Sequence, residues 1–109
     1  MLETLFGSVN REHVLLFLYC RNEGYAREIT RFFKIDLNQI QKQLERLEKG
    51  GVIYNKLVGK TRVYALNPRY PFLKELQALL DKVLAFYPDE EFKKLTVTRK
   101  RPRRTDKPL

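Results

Sequence analysis

The chain has 109 residues, 43% of them apolar, with one cysteine and a formal charge of +9. That length supports one modest core and lies near the size at which association with a second copy aids stability. A lone Cys20 cannot close an intramolecular disulfide, no apolar run approaches the roughly 18 residues of a membrane span, and the acid-bearing start Met1-Leu2-Glu3 does not resemble a signal peptide. A cytoplasmic protein of one domain plus a tail is therefore expected.

The first element is the apolar helix through Val14-Leu15-Leu16-Phe17-Leu18-Tyr19-Cys20, opened by Ser8 or Asn10 as N-cap, with Cys20 acting as a small buried hydrophobe. His13 stands seven residues before the thiol and can share its face, but two ligands do not make a zinc site. A short helix follows around Ala26 to Phe33. There Ala26, Ile29 and Phe33 recur at i, i+3 and i+7 as one apolar stripe, and Arg27, Glu28 and Arg31 fall on the wet side. After a tight turn at Lys34-Ile35-Asp36, Asp36 is placed as the N-cap of a helix from Leu37 to Lys49, and Gln39 at N3 completes a capping box. Ile40, Leu44 and Leu47 define its buried face, and Gly50-Gly51 supplies a left-handed stop.

The opposite face of that helix carries Asn38, Gln41 and Lys42, flanked by Gln39 and Gln43. Four of these five are neutral amides, whereas a merely solvated face usually alternates charges. An amide donates and accepts at once, which suits the N6/N7 edge of adenine in a major groove. The competing view is that amides are polar filler. Glu45 and Glu48 would repel phosphate, so the C-terminal half of the helix should stand clear of a duplex.

Val52 to Val58 and Thr61 to Leu66 are rich in β-branched and aromatic residues, and Gly59-Lys60 between them fits a type II′ hairpin turn. In that register Ile53 opposes Leu66 and Asn55 opposes Tyr64, so Ile53, Tyr64 and Leu66 share the face that closes the core. The tip presents Lys56, Lys60, Thr61 and Arg62, and residues 49–68 contain no acid. Such a tip is placed to touch phosphates or enter a minor groove, and the rival explanation is that edge lysines block sheet aggregation. Helix, turn, helix and ribbon in that order are the signature of a winged helix-turn-helix.

Pro71 fits the first position of another helix, which Pro88 would stop. Leu73, Leu76, Leu80, Val83 and Tyr87 are spaced three, four, three and four, a heptad seam read as the dimerisation face, while Phe72, Leu79 and Phe86 recur at seven on the flank. The plainer alternative is that this helix only completes a monomeric core. Beyond it, residues 93–109 carry eight of the twenty-two Lys and Arg and one of the thirteen acids, a net of +7 that leaves +2 for the rest. Arg99, Lys100, Arg101, Arg103 and Arg104, interrupted by Pro102, form an arm expected to be disordered when free and to add salt-sensitive phosphate contacts. A solubilising tail or an arm for RNA or protein is the alternative. The run Asp89-Glu90-Glu91 offsets this charge. The expected architecture is mainly α with a small β-hairpin wing: a winged helix-turn-helix over 1–68, a C-terminal dimerisation helix over 69–88 and a basic tail over 89–109.

Gly24-Tyr25-Ala26-Arg27-Glu28-Ile29, then Ile40 through Ile53, then Val58 through Pro68 resemble small prokaryotic winged-helix transcriptional regulators of the ArsR/MarR-like class, over roughly residues 5–68. Leu5-Phe6-Gly7-Ser8 is similar to the start of regulators whose genes often lie beside small nucleotidyltransferases. The resemblance implies operator binding as a homodimer, with Asn38, Gln39, Gln41, Lys42 and Gln43 toward bases and Arg27, Lys34, Lys56, Lys60, Thr61 and Arg62 toward backbone. Metal-sensing members carry paired cysteines on the recognition helix, and positions 36–49 contain none. No cofactor, metal ligand or catalytic residue is expected: Phe6-Gly7-Ser8 followed by Arg11 has a faint nucleotidyltransferase character, but no Asp-x-Asp follows to hold magnesium, and a single His has no nucleophile beside it in sequence. The alternative to a regulator is a protein adaptor or antitoxin-type partner built on the same scaffold.

Overall fold

The computed structural model describes residues 1–97. The elements are α1 (Glu3–Phe6), α2 (Val9–Arg21), α3 (Ala26–Phe33), α4 (Leu37–Lys49), β1 (Ile53–Val58), β2 (Thr61–Leu66), α5 (Leu73–Ala85) and α6 (Asp89–Val97). Ser8 opens α2, its hydroxyl oxygen accepting from the amides of Asn10 at 3.1 Å and Arg11 at 3.3 Å. That helix is the central post: Val14, Leu15, Leu16, Phe17, Leu18 and Cys20 are all buried on it, and α3, α4, β2, α5 and α6 pack around it.

The turn between α3 and α4 is made by Lys34, a left-handed residue at φ 59° and ψ 50° that is not a glycine. Asp36 stands at the N-cap of α4 as expected, but its side chain caps nothing. Gln39 does not complete a capping box either, because its side-chain oxygen accepts from Asn10 Nδ2 at 2.8 Å instead. The reciprocal bond occurs one helix earlier, where Glu28 Oε1 accepts from the Tyr25 amide at 3.3 Å. At its other end α4 closes in a Schellman motif around Gly51 at φ +81°: the Gly51 amide donates to Glu48 and the Val52 amide to Leu47.

The hairpin has the expected register, Ile53 opposite Leu66 through Val58 opposite Thr61. Gly59 alone adopts positive φ in the two-residue turn, which is the type II′ pattern. Gly24 and Tyr64 exchange both backbone hydrogen bonds, at 2.9 and 2.7 Å, and this one bridge pins the start of the helix-turn-helix to the wing. A Cβ at Gly24 would stand 2.7 Å from Phe17 Cε1, so the close approach admits no larger residue without movement.

Two expectations are corrected beyond the wing. The heptad seam of α5 faces the protein's own core: Leu80 and Val83 are 0% and 3% exposed, Leu76 and Tyr87 pack against the same cluster, and Leu73 is half-buried. Most of the seam is thus used within the chain, with Leu80 and Val83 buried in the core, whereas Phe72 and Phe86 on the flank are the exposed ones. The helix also begins two residues after Pro71, at Leu73. The second correction concerns the tail, whose first nine residues are α6. Asp89, Glu90 and Glu91 occupy its first turn, where carboxylates favour the helix dipole, and Leu95 is 1% exposed in the core. Arg21 fixes the other end, donating to the carbonyls of Leu95 and Lys94 at 3.1 Å each while its guanidinium covers Phe17 and Phe32. Arg99, Lys100, Arg101, Arg103 and Arg104 lie outside the described residues. No helix among the described residues is long and apolar enough to cross a membrane.

Candidate nucleic-acid interface

Burial of Ile40, Leu44 and Leu47 against the post turns the other side of α4 to solvent. Asn38, Gln39, Gln41 and Lys42 are exposed there, as are Arg27 and Lys34 on and after α3 and Lys56, Lys60, Thr61 and Arg62 on the wing. Gln43 is not part of this face. It is 7% exposed, and its side-chain oxygen accepts from Arg11 Nε at 2.9 Å. The cause is visible in the spacing, since Gln43 lies three residues after Ile40 and four before Leu47, inside the apolar stripe. Arg11 in turn donates to the Phe6 carbonyl at 2.6 Å, so the pair serves to dock α1 and α2 on α4.

Between the start of α3, the first turns of α4 and the wing lies an open cleft of about 400 Å³. Arg27, Gln41, Lys60, Thr61, Arg62 and Tyr64 are among its walls, and no carboxylate lines it. The cleft gathers an amide, three cations and a hydroxyl around a space with no competing anion. That chemistry fits phosphate and base edges. Lys34 lies at the far end of α3 and is not brought into the cleft. Lys56 faces Glu23 at 3.4 Å, which offsets its charge toward a polyanion.

The wing is tied to the helix beside it by a chain that the sequence did not suggest. Arg62 Nη1 donates to Asn55 Oδ1 at 2.7 Å, and Asn55 Nδ2 donates to Glu48 Oε2. Glu48 thus holds the ribbon while remaining at the C-terminal end of α4, away from the amides. Tyr64, on the wall of the cleft, has its phenol pKa raised by burial first and then by Glu48. Asn10 and Tyr25 were missed as well: Asn10 reaches Gln39 from α2, and Tyr25 lines the cleft while its hydroxyl accepts from Arg31 at 3.2 Å. Contacts between elements distant in sequence leave no local pattern to read.

A scan against protein-family models and a search of curated proteins find no match. Among solved structures, the chain is similar to a mutant of Lactococcus lactis ZitR in apo form, at 17% identity and TM-score 0.56 over 86% of this chain and 80% of that one. A second structure of a ZitR mutant gives 16% identity and TM-score 0.51, over 81% and 68%. The adhesin competence repressor AdcR from Streptococcus pyogenes gives 13% identity and TM-score 0.53, over 85% and 81%. At these identities the likeness is one of fold, and the fold is a winged helix-turn-helix.

Proposed function

We propose that the protein is a sequence-specific regulator of transcription that binds double-stranded DNA as a homodimer in a prokaryotic cytoplasm. Asn38, Gln39, Gln41 and Lys42 enter the major groove. Arg27, Lys60, Thr61 and Arg62 meet the backbone or minor groove from the wing side, with Lys34 and Lys56 as outlying cations. Gln43 is removed from the reading set because Arg11 holds it inside. Arg99, Lys100, Arg101, Arg103 and Arg104 add phosphate contacts without sequence preference. This is a binding role, not an enzymatic one.

The single observation that carries the proposal is the exposed amide face of α4, with Gln41 on the wall of a cationic cleft that no carboxylate lines. The fold supports it, since the structurally similar AdcR is named a repressor. Selection of bound fragments from random DNA by the purified protein should recover an inverted repeat. At the selected site Gln41→Ala should cost about 1–3 kcal/mol and relax preference at one base pair, with little change on random duplex. Equal losses on both duplexes would count against base reading and favour an adaptor whose basic arm binds polyanions indiscriminately.

A further inference from the structure

Two side chains from the first turn of α2 donate to two glutamines one turn apart on α4. Arg11 Nε donates to Gln43 Oε1 at 2.9 Å, and Asn10 Nδ2 donates to Gln39 Oε1 at 2.8 Å. An arginine can only donate, so chemistry fixes the sense of the first bond. The second runs the same way for an electrostatic reason: Asn10 is the second residue of α2, where the positive end of the helix dipole favours a carbonyl oxygen facing it over an NH2 group. Gln43 is buried, whereas Gln39 stays exposed. At about 100° per residue, Gln39 lies about 60° around α4 from Lys42 and about 160° from Gln41, so the two exposed glutamines stand on opposite flanks of the outer face.

We infer that Asn10 is a positioning residue that sets which base Gln39 reads, and that this base is guanine. A free glutamine amide offers a donor and an acceptor together, the pair that the N6/N7 edge of adenine requires. Gln41 keeps both, since its side chain makes no hydrogen bond among the described residues. In Gln39 the oxygen is occupied by Asn10. The planar amide then turns Nε2 away from Asn10, with both hydrogens unpartnered among the described residues. A group that donates twice and accepts nothing matches the major-groove edge of guanine, where N7 and O6 are neighbouring acceptors. It mismatches adenine N6 and cytosine N4, which are themselves donors. The exposed amides of α4 are therefore not equivalent readers: Gln41 is adaptable, and Gln39 is set in advance by a residue that touches no base.

The inference rests on the base-reading part of the proposed function, and its test separates the two. Fragments are selected from random DNA with the full-length parent and with Gln39→Ala, Asn10→Asp and Asn10→Ala. Gln39→Ala should lower discrimination roughly tenfold at one position of the selected site, where the parent prefers guanine. Asn10→Asp supplies a carboxylate that only accepts, so the Gln39 amide turns over and presents its oxygen to the groove. Preference at that position alone should move to adenine or cytosine, whose exocyclic amines donate. Asn10→Ala should relax the position without reversing it. The added negative charge weakens binding to every duplex alike and leaves the ratio between bases unmoved. An acid in the first turn of α2 also suits the helix dipole, and a thermal melt by circular dichroism checks that the variant is folded. If Asn10 only braced α2 against α4, both Asn10 variants would shift the melt and leave the selected sequence unchanged. That result, a Gln39-dependent position that prefers any base but guanine, or a Gln39→Ala protein with an unaltered site would each overturn the inference, while a site relaxed by Gln41→Ala still upheld base reading. Recovery of no preferred sequence by the parent would overturn both.

Discussion

His13 lies on the side of α2 that meets α3, its ring stacked on Phe33 with centroids 4.3 Å apart and its Nδ1 buried without a hydrogen-bond partner. It shares a cavity of about 280 Å³ with Phe32, Phe33, Tyr87, Glu91 and Lys94. Burial lowers its pKa from the ordinary 6.5, and the nearby Glu12 opposes that shift without cancelling it. Across the same cavity Tyr87 is pushed up to about 12, by burial first and then by Glu12 and Glu91. Both groups therefore prefer to stay neutral in the folded protein. The unfolded chain takes a proton on His13 near pH 6.5 while the folded chain resists, so stability is full above that pH and is lost as pH falls through the folded value. Unfolded Tyr87 ionises near pH 10 and folded Tyr87 near 12, so stability is lost again as pH rises between them. Urea denaturation should show a plateau from about pH 7 to 10 with a decline on each side. His13→Gln should remove part of the acid-side decline, and a variant that follows the parent in parallel down to roughly pH 5 would show that the imidazole is not what titrates.

Asn55 links the wing to α4 by standing between Arg62 and Glu48. A two-stranded ribbon is marginal by itself, and this one is held at its base by the Gly24 bridge and along one side by the Asn55 link. Asn55→Ala should leave the carboxylate and the guanidinium in place but disconnect them, costing about 0.5–1.5 kcal/mol of stability as a lost hydrogen-bonding group. Nuclear magnetic resonance relaxation should show the hairpin tip near Gly59 and Lys60 becoming more mobile while α4 stays rigid, and an equally rigid tip would assign the wing's position to the hairpin alone. This link also marks the boundary of what the sequence discloses. Helix limits at Ala26–Phe33 and Leu37–Lys49, the glycine stop of α4 and the hairpin register follow from signals within a few residues of one another. Which of two apolar strips on α5 turns inward does not, because the choice is made by the body it meets. The helix at 89–97 was masked by counting charge, although a first turn of three acids and an apolar Leu95 six residues after Asp89 suited a helix start and a buried anchor. Gln43 was legible in principle from its place between Ile40 and Leu47, but the arginine that claims it comes from α2.

At the scale of the whole molecule, the positive charge is divided unevenly. Residues 1–92 are nearly balanced, whereas residues 93–109 hold a net of +7, six of whose cations lie at or beyond Arg99. In the proposed role, long-range attraction to a polyanion and local recognition would fall to different parts of the chain, the arm supplying charge without sequence information and α4 amides with little charge. Deleting residues 99–109 should consequently lower affinity for selected and random duplexes alike and leave their ratio nearly constant. The plot of log affinity against log salt should flatten by about 0.9 for each arm cation that had neutralised a phosphate. A binding titration at four or five salt concentrations reads both quantities. An unchanged slope would mean that the arm does not touch phosphate, and a collapse of the ratio would mean that it reads sequence after all, contrary to the division of labour proposed for α4.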